Sequence, residues 1–431
     1  MKVAIAGPIA GLSEAEQAHL FTRALPDQED VQDTVRSLLE RVRREGDAAL
    51  FDLARRLDGA HLDTLAVPRD EWQRAAQRLA APERAALERA AVNIERFHKA
   101  LLPEPTRHIS EPGVSLERRW VPVGRAGVYA PGGRAAYPSS VLMGVVAARA
   151  AGVDQVIVCS PPSPDGRVSD GVLAAAWLGG ADRLFALGGA GAIAALAYGT
   201  ESVPQVDVIV GPGNRWVNEA KQQVAGWVRI DSPAGPSELL VLADAGADPD
   251  VIARELVAQA EHDPDAAVVL VTPAAELLSS TRARLEARVA AADRRDVAEA
   301  ALAANGALLL ATDPEQALLF ANAYAPEHLL LLVDEPGPAI DRLRTAGTVF
   351  VGATSSVAFG DYMTGANHVL PTAGRARSFS GLATDHFMRS FTVQRIDPVG
   401  AAALAADVRR LAELEGLPAH ATAAWAAGGH S

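Results

Sequence analysis

The chain has 431 residues, 49% of them hydrophobic and 22% charged, with a formal net charge of −13 from 53 acidic against 40 basic side chains. That balance excludes disorder as the main state and allows about two or three domains with a large core. It also argues against a broad nucleic-acid footprint or docking on anionic lipid, and the single cysteine, Cys159, excludes an internal disulfide framework or a multi-cysteine zinc site.

The start, Met1 to Pro8, faintly mimics a signal peptide, but Gly7, Pro8 and Gly11 break its apolar run. Secretion is therefore not expected, and a cytoplasmic setting is. Val31, Val35, Leu38, Leu39 and Val42 recur at helical spacing, so residues 29 to 101 read as amphipathic helices. Ala75 to Leu101 reads as one long helix that ends before Pro103. From about residue 118 the texture changes to short apolar runs punctuated by Gly and Pro. Ser139 to Ala151 reads as a helix, with Ser139 or Ser140 as its N-cap. The segments 155–159, 183–187 and 206–210 read as buried strands, alternating with helices over 171–178, 190–198 and 214–224. The longest uncharged run, Leu184 to Thr200, contains four glycines. It falls short of the roughly 18 apolar residues a membrane span needs.

A second alternating series starts with a strand at 238–243. Strands at 267–272, 306–311, 329–333 and 348–351 follow, with helices over 249–260, 275–291 and 314–324 between them. From Asp385 to Ser431 the pattern reads as helical. The βαβ order predicts parallel sheets with ligands at the carboxyl ends of the strands. Gly-rich turns fall there: Tyr129 to Gly133, Gly188 to Gly191 and Gly211 to Asn214. Such turns suit anions at helix N-termini, although the full G-x-G-x-x-G fingerprint is absent and ordinary tight turns explain them equally well.

Several polar groups carry possible chemistry. Gln259 and His262 stand three apart at a helix end, so both project from one face and can hold a borderline metal such as zinc. A solvated helix end is the alternative. Glu327-His328, between Pro326 and a strand, is a usable acid/base pair or an ordinary surface-loop pair. Asp361, Tyr362, Asn367 and His368 form a dense polar cluster in a Gly-rich loop. Glu415 and His420 sit where Gly416 and Pro418 break the last helical segment.

At these residues the chain resembles the histidinol dehydrogenase family, from about residue 25 to the C-terminal region. The resemblance is carried by Gly124 to Gly133, Tyr137 to Met143, Val210-Gly-Pro-Gly-Asn214 and Pro233-Ala-Gly-Pro-Ser-Glu238. It continues in Gln259-Ala-Glu-His-Asp-Pro264, Ala325-Pro-Glu-His-Leu329 and Gly360 to Thr372. It implies an NAD-dependent, zinc-containing enzyme that oxidises L-histidinol to L-histidine in two steps through an enzyme-held aldehyde. The implied fold is α/β: two incomplete Rossmann-like parallel-sheet domains with helical N- and C-terminal segments. Residues 1–24 would be an N-terminal arm, 25–118 with 237–380 the first α/β domain, 119–236 the NAD-side domain, and 381–431 a C-terminal segment crossing to a partner in a homodimer.

Carried over residue by residue, the resemblance makes Gln259, His262, Asp361 and His420 the ligands of one zinc per subunit and part of the substrate site. Glu327 and His328 would be the acid/base pair. Ser237, His328, His368 and Glu415 would contact substrate, and Tyr129, Asn214 and the turn at Gly191 would contact NAD. His420, Glu415 and also His368 are the candidates to serve a neighbour's site. The chain departs from the family pattern at Gly191, where a glutamine is usual, and at Gly144, Thr364, Ala366 and Ala383. A related dehydrogenase acting on another amino- or sulfo-alcohol, a zinc hydrolase and a non-catalytic binding protein are the alternatives.

Overall fold

The computed structural model describes residues 2–23, 29–132 and 137–430. Gly133 and the domain boundary expected at 24/25 lie outside the described residues. After β1 (Ile5–Pro8), helices Glu29–Glu45, Asp47–Leu53, Arg69–Arg78 and Ala81–Ala100 lead to a hairpin of β2 (Thr106–Glu111) and β3 (Val114–Pro122). Five strands then alternate with helices: β4 (Arg125–Tyr129), β5 (Gln155–Ser160), β6 (Arg183–Ala186), β7 (Val208–Val210) and β8 (Arg229–Ile230). They form a parallel sheet in the order β6-β5-β4-β7-β8. The second series is β9 (Glu238–Ala243), β10 (Ala267–Thr272), β11 (Gly306–Leu310), β12 (His328–Leu332) and β13 (Thr348–Val351). With β1 it makes a six-stranded parallel sheet, β1-β11-β10-β9-β12-β13. Central strands such as β9, β10 and β12 are buried throughout, as expected where helices cover both faces.

The α/β class and the two parallel sheets agree with the expectation; four details differ. The expected long helix over 75–101 is two helices, because Pro82 occupies the first turn of the second and cannot continue the first. The apolar run near the start is β1, an edge strand paired to β11 in register Ile5↔Ala307. Residues 388–396 are not helical. They form β14 (Met388–Ile396), antiparallel to β3; Phe391, Thr392, Val393 and Ile396 suit a strand, and pairing along the whole of β3 decides against the equal number of helix formers. Ser139 and Ser140 do not cap the helix Pro138–Ala151; Pro138 begins it after Tyr137.

The packing also redraws the expected division. Val31, Val35, Leu39 and Val42 share a hydrophobic cluster with Ile157, Phe185 and Ile209 on one face of the five-stranded sheet. Trp72, Ala90 and Ile94 join Val128, Val145 and Val158 on the other. Residues 29–100 therefore clothe the five-stranded sheet rather than the six-stranded one. No helix among the described residues is long and apolar enough to cross a membrane. Cys159 is fully buried in the five-stranded sheet, and burial pushes its thiol pKa far up.

Gly144 shows how closely helix and sheet approach. A Cβ there would lie 2.6 Å from Cγ1 and 2.9 Å from Cγ2 of Val128 on β4. Its departure from the family pattern is thus a packing feature facing the sheet. Gly144→Ala should lose about 1–3 kcal/mol of stability by overpacking. Urea unfolding measures this, and a loss below about 0.5 kcal/mol, the size of an ordinary surface change, would show that the helix can back away freely.

Candidate active site

A cleft of about 620 Å³ runs between the two sheets. The five-stranded sheet offers it the expected carboxyl ends: Pro131 follows β4 and Gly211 follows β7. The six-stranded sheet does the reverse. Ser237 precedes β9, and Glu327 with His328 begins β12, so the cleft meets the amino ends of these strands. This corrects the expectation of carboxyl ends for that half. Helices in a parallel unit run opposite to the strands, so their C-terminal ends gather on the same side. There Pro249–Ala260 delivers Gln259 and His262, and Val357–Tyr362 delivers Asp361.

Glu327 and His328 are both buried. The Glu238 backbone N–H donates to Glu327 Oε2 at 2.7 Å. The Glu238 carbonyl lies 2.9 Å from His328 Nδ1, so that nitrogen carries a proton and donates. The imidazole's Nε2 is left facing Asp361 Oδ1 at 3.7 Å. Burial alone would lower the His328 pKa. The charge of Glu327, whose Oε2 lies 3.4 Å from Nδ1, outweighs it together with Asp361 and raises the pKa to about 9.

His368 lines the same cleft within one chain. Its Nδ1 donates to the Asp361 carbonyl at 2.7 Å, so its Nε2 accepts from the Ser140 hydroxyl at 3.1 Å. Burial lowers its pKa. Asn367 anchors this loop, donating to the Met143 carbonyl at 2.9 Å.

On the opposite wall the turn Gly211–Asn214 opens the helix Arg215–Val224. The Asn214 side chain accepts from the N–H groups of Trp216 and Val217, so it caps this helix while lining the cleft. Gly211 needs to be glycine: its φ is +118°, and a Cβ would fall 2.1 Å from the Tyr129 carbonyl oxygen. A buried ion pair of Lys221 and Asp231 staples this peptide. Asp231 accepts from Gly211 N–H at 2.8 Å, and Lys221 Nζ donates to its carbonyl at 3.0 Å.

The expected nucleotide contacts fare unevenly. Asn214 lines the cleft; Tyr129 is buried behind it, and its hydroxyl accepts from Gly189 N–H at 3.1 Å. Burial pushes the Tyr129 phenol up to about 12. Gly191 does not reach the cleft. It faces Leu53 of a neighbouring helix, 3.0 Å from where its Cβ would be.

The expected zinc donors are only partly assembled. His262 and Asp361 line the cleft, and Gln259 is buried with its side-chain Nε2 lacking any hydrogen-bond partner. An unpaired buried amide calls for a partner, and its oxygen, interchangeable by a flip, suits a metal. His420, however, is exposed on the helix Pro418–Ala427, and Glu415 is exposed just before it; neither lines the cleft. Among the described residues of one chain, no three His, Cys, Asp or Glu side chains converge to hold a metal. The donor set fits zinc only if a fourth ligand arrives from elsewhere.

Sequence reading missed Ser140 as the partner of His368, the Lys221–Asp231 staple and the anchoring role of Glu238. The motif ending at Glu238 was visible, but nothing local pairs its peptide with residues 89 and 90 positions away.

Comparison with known proteins agrees with this architecture. The histidinol dehydrogenase family profile matches residues 21–426. A histidinol dehydrogenase of Natronomonas pharaonis is 48% identical over 414 residues, covering 96% of this chain and 97% of its own. One from Methanothermobacter thermautotrophicus is 45% identical over 404 residues, covering 94% and 95%. The crystal structure of histidinol dehydrogenase from Elizabethkingia anophelis superposes with a TM-score of 0.94 at 34% identity, covering 99% of this chain and 98% of that one. With its two parallel sheets, its shared cleft and a family match over nearly its whole length, the chain belongs to the histidinol dehydrogenase family.

Proposed function

We propose that this oxidoreductase converts L-histidinol to L-histidine in two NAD-dependent oxidations through L-histidinal, with one zinc per subunit in a homodimer that shares its sites. The observation that carries the reading is the buried Glu327–His328 pair, anchored on one peptide and open to the cleft. The cleft's electrostatics support it. Helix C-termini and the carboxylates of Glu327, Asp361, Asp263 and Asp265 favour a cation on one side, such as an amino-alcohol's ammonium. A capped helix N-terminus with Arg215 favours an anion on the other, such as a dinucleotide's phosphates.

Gln259, His262, Asp361 and His420 of the partner subunit would hold zinc, which would supply a Lewis acid, and bound NAD would supply the hydride acceptor. His328 Nε2 takes the alcohol proton as the carbon gives up hydride, leaving the aldehyde. Glu327 then takes a proton from water as it adds to the aldehyde carbon. Protonated His328 returns its proton to the aldehyde oxygen in that addition, and the neutral hydrate then gives up a second hydride to NAD and a hydroxyl proton to His328, leaving the carboxylic acid. Ser237 and His368 line the cleft beside this pair, where they would contact the substrate.

The crossing partner is supported by the C-terminal surface. Leu414 is 83% exposed and Leu411 61%, beside Glu415, an apolar surface that a second copy would cover.

Purified protein given L-histidinol and NAD should form two NADH per histidinol; none would refute the reading. The reaction needs neutral His328. Because its pKa is raised from 6.5 to about 9, the protonated, inactive form persists to higher pH. So kcat/KM should climb with pH past 6.5 toward 9, and this acid limb should vanish in His328→Asn.

Glu327→Gln should retain some alcohol oxidation and lose oxidation of supplied histidinal, whereas equal loss of both steps would contradict the division of roles. His328→Asn should slow alcohol oxidation by about 10²–10⁴-fold.

Complementation tests the shared site. His262→Ala and His420→Ala homodimers should each be inactive and short of zinc. In an exchanged heterodimer both lesions fall in one site, leaving the other intact, so roughly half the wild-type activity should return. Heterodimers that stay inactive would place His420 in its own chain's site.

A further inference from the structure

Glu238 holds both members of the acid/base pair by its backbone, and its side chain is held in turn by a residue outside the cleft. The buried Glu238 carboxylate pairs with Arg23 Nη1 at 2.9 Å. Arg23 follows the helix Glu14–Thr22 of the N-terminal arm. Its Nη2 donates to the Tyr324 carbonyl at 2.5 Å, and its guanidinium carbon lies 3.9 Å from the centre of the Tyr324 ring. Tyr324 ends the helix Pro314–Tyr324, from which Ala325 and Pro326 lead directly into Glu327. Glu238 Oε1 accepts from Ala373 N–H at 2.8 Å, closing the loop that carries His368. One guanidinium therefore ties the starts of β9 and β12 together and, through Glu238, the 367–373 loop. The backbone of Arg23 has φ +41°, a left-handed conformation that a non-glycine residue keeps only where contacts hold it.

We propose that Arg23 is a positioning residue: through its fork on Glu238 and Tyr324, the N-terminal arm fixes the Glu238 peptide and so sets the orientation of His328 and Glu327 in the cleft. This rests on the proposed function for its kinetic consequence, but not for its geometric one. The competing account is that the arm only stabilises the sheet edge through β1, in which case Arg23 would affect folding and leave the turnover of folded enzyme unchanged.

The test uses full-length Arg23→Ala, Arg23→Lys and Glu238→Gln. Lysine keeps the charge but loses the two-pronged fork, so it should behave more like alanine than like wild type. With L-histidinol and NAD, folded Arg23→Ala should lose about 10–100-fold in kcat, the scale expected of a misplaced catalytic group, with KM changed less than about threefold. Added guanidinium ion at low millimolar concentration should restore part of kcat in Arg23→Ala and none in Glu238→Gln. A second readout needs no turnover: the ring ¹⁵N signals of His328, compared at one fixed pH and assigned by their loss in His328→Asn. They should shift in Arg23→Ala and in Glu238→Gln. Turnover within about twofold of wild type with unchanged ring signals, or a loss that merely tracks the unfolded fraction, would overturn the proposal. Should Arg23→Ala fail to fold, the same readouts on Arg23→Lys and Glu238→Gln decide the matter. Wild type that makes no NADH from histidinol would sink the functional reading, while the ring signals still decide the positioning role.

Discussion

Two parallel strands paired side by side begin at the same edge, and in this chain that geometry brings distant residues together. β12 pairs with β9 in register His328↔Leu239, so the peptide just before Leu239 lies against the first residue of β12. The carbonyl of that peptide is Glu238's and holds His328, and the Glu238 N–H, one peptide earlier, holds Glu327. Backbone groups at a strand start are otherwise orphaned. Here the pair satisfies them, and they orient the pair in return. A one-residue slip of β12 would turn every side chain to the other face and empty the cleft of both groups.

The two sheets address the cleft with opposite ends, and this gives the cavity its polarity. From the six-stranded sheet come strand starts and helix C-termini, with Asp361 and Glu327 among them. From the five-stranded sheet come strand ends and the N-terminus of Arg215–Val224, its peptide at Gly211 stapled by buried Lys221 and Asp231. A cavity polarised in this way can hold a cationic alcohol against an anionic dinucleotide without a charged side chain for every charge.

Much of this was legible beforehand. Continuous apolar runs located β9 and β10 to the residue, and helical patterns located Pro249–Ala260 and Pro314–Tyr324, where Asp248-Pro249 and Asp313-Pro314 mark the beginnings of the helices. The acid/base residues stood in a recognisable motif. What escaped was non-local. β14 pairs with β3 across more than 250 positions, and the sequence of β14 alone does not announce its partner. Ser140 meets His368 across 228 positions, and Arg23 meets Glu238 across 215. Gly191 was carried over from a motif position, yet its helix turns that position toward Leu53.

The lone cysteine has a consequence of its own. Cys159 lies near the end of β5, inside the five-stranded sheet, with no exposed atom, and burial holds its thiol in the protonated, unreactive form. An alkylating reagent can therefore reach it only when that sheet opens. The rate of its modification reports the opening of this half of the molecule, free of background from any second thiol. The protein thus carries a built-in clock for the opening of its five-stranded half, readable by mass spectrometry without an introduced label.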